Sequence, residues 1–157
     1  MATNFWVRAL QDSEFTHLFN LDNAALEKMD VARMLVDKKP GFPCRVSLAD
    51  AEIGEEVILV SYKYHNTHSP YMAKGPVFVR KKAKTAEFEM NELPVMLYQR
   101  LLSLRGYDKN GMMNEAAVVE GSVLREQLHK IFENPAVSYI HIHNAKPGCY
   151  NCVVERC

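Results

Sequence analysis

The stretch Lys146-Pro147-Gly148-Cys149 puts proline and then glycine at the two central positions of a four-residue turn. The pyrrolidine ring fixes φ where the first position needs it. Glycine takes the positive φ of the second, so the stretch specifies a type II turn. Residues 137–143 and 149–156, on either side, are rich in β-branched and aromatic side chains. A C-terminal β-hairpin across Pro147-Gly148 follows. Asn110-Gly111 is a second tight-turn signal, since both residues tolerate positive φ, and it predicts a hairpin between about residues 102–108 and 112–119.

Between these fixed points the hydrophobic period alternates between two and 3.6. Phe5, Val7 and Ala9 alternate with Trp6, Arg8 and Leu10 as a first strand. Asp12 or Ser13 caps a short helix through Phe19, and Asp22 a second with Leu26 and Met29 on one side. Residues 31–36 read as a strand, and residues 57–64, apolar on both faces, as a central one. Residues 65–75 read as loop and residues 77–81 as another strand. Pro94 suits the first turn of a helix ending before Leu104. Gly121-Ser122 opens a helix with Leu124, Leu128 and Ile131 at helical spacing, ended by Asn134-Pro135. The expected class is α+β: residues 1–157 as one domain, with a mostly antiparallel sheet of six to eight strands and a few packed helices.

Composition narrows the function. Of 157 residues, 48% are hydrophobic and 24% charged, which suits a globular core. Lys plus Arg and Asp plus Glu are both 19. That balance argues against nucleic acid, whose binders need a basic excess. The most apolar run, residues 57–60, is far too short to span a bilayer. The first residues carry no basic flank followed by an apolar run, so no export signal is expected. Cys44, Cys149, Cys152 and Cys157 are therefore expected as free thiols in a reducing cytoplasm.

Two constellations carry chemistry. His141 and His143, two apart on a strand, share a face opposite Ile140 and Ile142. That face is either solvated or a site. As a metal site it would need a third ligand, such as His65 or His68 from the loop. Cys44 and Cys149 each follow a Pro-Gly turn, and Arg45 places a cation beside Cys44, which would favour a thiolate. Cys149-x-x-Cys152 has metal spacing, but on a strand its two sulfurs diverge. The predicted site is a polar pocket for a small anionic ligand. Cys44, Arg45 and His141 bind there, Arg45 being the anion contact. If there is catalysis, Cys149 is the nucleophile, His143 the base and Asn144 its orienting group, with no metal. A non-catalytic binding or interaction module and a His-based metal site are the alternatives. The sequence names no cofactor and no oligomeric state.

Three segments together carry a resemblance: Pro40-Gly41-Phe42-Pro43-Cys44-Arg45; Leu101-Leu102-Ser103-Leu104-Arg105 with Gly111-Met112-Met113; and the run from Tyr139 through His141, His143 and Lys146-Pro147-Gly148 to Tyr150. Ser69-Pro70-Tyr71 and Phe78-Val79-Arg80 fit the same pattern. The chain resembles a family of small bacterial proteins known as domain of unknown function 1203. The resemblance implies one full-length domain and a bacterial cytoplasmic origin, and brings no reaction, cofactor or catalytic residue.

Overall fold

The structure is a computed structural model describing residues 2–157. Among the described residues eight strands form two antiparallel sheets. The first sheet has the order β1-β8-β7-β5-β6. Its strands are β1 (Phe5–Arg8), β5 (Leu101–Tyr107), β6 (Met113–Glu120), β7 (Tyr139–Asn144) and β8 (Tyr150–Arg156). The second, in the order β2-β3-β4, comprises β2 (Ala32–Leu35), β3 (Glu56–His65) and β4 (Ala73–Arg80). The chain is an α+β domain, with β7 and β8 as its C-terminal hairpin.

Alternation builds the larger core. Phe5 and Val7 of β1, Leu102 and Leu104 of β5, Ile140 and Ile142 of β7, and Cys152 and Val154 of β8 project from one face. Helix α2 (Leu124–Phe132) covers that face with Leu124, Leu128, Ile131 and Phe132. The smaller sheet buries Ile58 and Val79 against Phe15, Leu18 and Leu26. Its other face buries Val57 against Val36, Phe42 and Ala51. Leu26 is carried by α1 (Asn23–Lys28), whose first turn is capped where the Asp22 carboxylate accepts the Ala25 N–H at 2.8 Å.

Four elements differ from the sequence reading. Residues 12–20 form two 3₁₀ turns broken at Phe15, which is buried, rather than one helix. After Pro94 a single 3₁₀ turn, Val95–Leu97, forms, because β5 begins at Leu101 and leaves no room for a longer helix. The loop after β3 shrinks to residues 66–72, since His65 and Ala73 pair across the sheet. The Asn110-Gly111 turn is a five-residue loop in which Gly111 has φ +76° and the Asp108 carboxylate accepts the N–H of Asn110 and Met112. Among the described residues no helix is long and apolar enough to cross a membrane.

Two glycines separate close packing from backbone conformation. A Cβ on Gly121 would lie 1.9 Å from the Leu97 carbonyl oxygen, and backbone cannot step aside. A Cβ on Gly148 meets nothing within 4 Å, but its φ is +79°. Gly121→Ala is expected to cost at least ~3 kcal/mol in urea unfolding, and Gly148→Ala about 1–2 kcal/mol. Equal costs would contradict this packing.

Candidate functional site

The core-facing alternation of β7 sends Tyr139, His141 and His143 to the opposite face, toward the smaller sheet. The ladder sets Ser103 opposite His143, Arg105 opposite His141 and Tyr107 opposite Tyr139. On β8 the register slips by one residue between Ile142 and His143, so Tyr150 pairs with His143 and Asn151 is the extra residue. A similar slip in β3 between Tyr62 and His65 lets two consecutive residues, Tyr64 and His65, both reach this face. The product is a layer of rings between the sheets. His141 lies 4.8 Å from His65, 5.1 Å from Tyr107 and 5.1 Å from Tyr150, centroid to centroid. Tyr64 stacks on Tyr150 at 5.0 Å. His141 and His143 therefore do not line a solvated face; they are 3% and 0% exposed.

The hydrogen bonds fix two tautomers. His65 donates from Nδ1 to the Tyr71 carbonyl at 2.7 Å, and its Nε2 accepts the Tyr139 hydroxyl at 2.7 Å. His143 donates from Nδ1 to the Gly148 carbonyl at 2.9 Å, which leaves a lone pair on Nε2. That Nε2, like His141 Nδ1, has no partner among the described residues. Burial is the main force holding both rings neutral. It pushes His141 down to about 3, helped by the fields of His65 and His143. It pushes His143 down to about 4 against the pull of the Gly148 carbonyl. No three His, Cys, Asp or Glu side chains gather in metal-binding geometry among the described residues, and His68 is exposed.

The second cluster centres on Arg45, which is 2% exposed. Its Nε donates to the Tyr150 carbonyl at 2.7 Å and its Nη1 to the Pro43 carbonyl. Among the described residues it forms no salt bridge. Burial lowers its pKa to about 10; Cys149, Cys44 and Cys152 oppose the fall, and Arg100 adds to it. Cys44 is fully buried, its sulfur accepting the N–H groups of Ser47 at 3.4 Å and Arg80 at 3.3 Å. Cys149 is half-buried at the turn. Beside it runs an open groove of about 390 Å³, walled by Gly41 and Pro43 of one turn and Asn144, Lys146 and Pro147 of the other, with Arg100 at one side. The Asn144 side-chain oxygen accepts the Asn151 amide at 2.9 Å, while the buried Asn151 Oδ1 has no partner among the described residues.

A family model, Protein of unknown function (DUF1203), matches residues 41–156. This chain belongs to that family. No curated protein and no solved structure matches it. The matched DUF1203 span begins at the first Pro-Gly turn and contains Arg45, the ring layer and the hairpin.

Within this DUF1203 domain the predicted residues divide. Arg45 joins the first Pro-Gly turn to Tyr150, just past the second, with the Cys44 and Cys149 thiols within reach of its field. Asn144 lines the groove. His141 and His143 belong to the ring layer instead, and His143 Nε2 makes no hydrogen bond to the Cys149 sulfur. Cys152 lies in the core, where burial pushes its thiol up to about 12. The sequence reading missed Lys146, Asn151 and the tyrosines of the layer. Tyr139 alone carried a signal, through its alternation with the two histidines.

Exposure sorts the four thiols. A thiol reagent is expected to label Cys157 and Cys149 in the folded protein, and Cys44 and Cys152 at least ~100-fold more slowly, because buried thiols wait for opening. Rapid native labelling of Cys44 would contradict the burial of this cluster.

Proposed function

We propose that the chain binds a small oxyanion, a carboxylate or phosphate, in the groove between the two Pro-Gly turns. The observation that carries this reading is Arg45: a guanidinium removed from water with carbonyl partners but, among the described residues, no carboxylate. A buried charge without a counter-charge costs several kcal/mol, and an anion close by would offset part of it. Pro43 connects the two, because it walls the groove and its carbonyl accepts from Arg45. Lys146, exposed at the rim, and Arg100, already paired with Asp50 at 3.0 Å, complete a lining with two cations, the Asn144 amide and no carboxylate.

The arrangement supports binding more directly than catalysis. Cys149 as nucleophile with His143 as base would need Nε2 to turn from the ring layer to the sulfur, breaking the bond to Gly148. Four free thiols fit a reducing bacterial cytoplasm, where we place the protein.

Inorganic phosphate and acetate at matched ionic strength are the probes. Saturating phosphate or acetate is expected to raise the thermal midpoint by several degrees, since a ligand at ~100 Kd adds about 2.7 kcal/mol. Lys146→Glu should weaken the effect at least ~10-fold in concentration. An unchanged midpoint with both anions, or equal stabilisation in Lys146→Glu, would overturn the reading. The more effective anion identifies the class.

A further inference from the structure

His141 and His143 each hold a ring nitrogen where an added proton finds no acceptor among the described residues. His141 Nδ1 and His143 Nε2 are enclosed and without partners among the described residues. The groups facing them are Tyr64 and His65 from β3, Arg105 and Tyr107 from β5, Tyr139 from β7 itself and Tyr150 from β8, with Arg45 behind. These are phenols, an imidazole and two guanidinium groups, with no carboxylate among the described residues. A protonated ring here would meet Arg105 across the ladder and nothing to neutralise it.

Among the described residues a single hydrogen bond, with ring packing around it, closes this layer onto β7. The end of β3 is held over β5 and β7 by the Tyr139 hydroxyl on His65 and by ring packing, past a register slip that interrupts the β3–β4 ladder before it resumes at His65 and Ala73. From these positions we infer that the ring layer is an acid-operated latch: proton uptake by His141 and His143 frees the end of β3 from β5 and β7. The latch is independent of the anion reading.

The sign follows from proton linkage. Freed from the layer, each ring binds its proton near the ordinary value of ~6.5. Closed, burial holds His143 down at about 4 and His141 at about 3. The open form therefore carries the extra protons, and opening grows as pH falls below about 6.5 until the closed-state values are reached. Each ring contributes up to ~10-fold per pH unit, so the two together contribute up to ~100-fold.

Hydrogen exchange of the β3 segment, corrected for the chemical exchange rate, tests the latch between about pH 7 and pH 4.5, the span in which only the open form is protonated. The opening constant is expected to rise steeply in the wild type and to stay level in His141→Phe/His143→Phe. A level wild-type profile, or an equal rise in the double variant, would overturn the latch. If that variant does not fold, imidazole carbon shifts of the wild type decide. Both rings should stay neutral while β3 remains protected. Protonation of either near pH ~6.5 without loss of that protection would refute the inference.

Discussion

Arg45 is the tie on which both sheets converge. Its backbone N–H donates to Phe78 of β4 at 3.0 Å, and its carbonyl accepts the N–H of Leu10, just past β1, at 3.0 Å. Its guanidinium crosses to the Tyr150 carbonyl of β8 and returns to Pro43. One residue thus joins the smaller sheet, the N-terminal segment and the C-terminal hairpin. A guanidinium can do this because it presents several donors in a fixed plane, and the cost is a charge kept out of water. Carbonyl dipoles recover part of that cost. The nearby thiol fields recover a little more, and the carboxylates are elsewhere: Asp50 on Arg100 and Glu55 on Arg80.

The same economy governs the ring layer. The larger sheet spends its aliphatic face on α2 and has only polar rings for the side toward β3. Histidine and tyrosine fill that space at ordinary ring distances, but each brings a polar atom. His65 and Tyr139 satisfy one another, and Gly148 satisfies one side of His143. The remaining nitrogens are left bare, at a cost of about 1–3 kcal/mol each. Such a layer is specific in shape and sensitive to charge. Hairpin, guanidinium and ring layer meet at β8, where Tyr150 stacks on Tyr64 and its carbonyl holds Arg45.

Local chemistry explains what the sequence disclosed. Proline and glycine in Pro147-Gly148 act through their own backbones, so the C-terminal hairpin and the alternation of Ile140 and Ile142 with His141 and His143 were readable residue by residue. The central position of β3 was legible because an apolar run on both faces needs cover on both sides. Two things were not. Register slips at Asn151 and between Tyr62 and His65 have no local code, yet they decide which rings share a face. The burial of the histidines depends on a second sheet arriving from another part of the chain. Of the site, the turns and the proximity of Arg45 to a thiol were foreseeable from sequence spacing. The orientation of His143 was not, because the strand's pleat turns the imidazole toward β3 while its Nδ1 bonds the Gly148 carbonyl.

An anion in the groove would be felt first by the charge of Arg45. Nitrogen-15 resonances of its guanidinium, followed while phosphate replaces chloride at constant ionic strength, report this directly. A saturable shift of Arg45 Nε and Nη, with the Arg33 and Arg156 signals unmoved, is the predicted result. An Arg45 signal that stays fixed, or that moves only in step with those distant arginines, would contradict it.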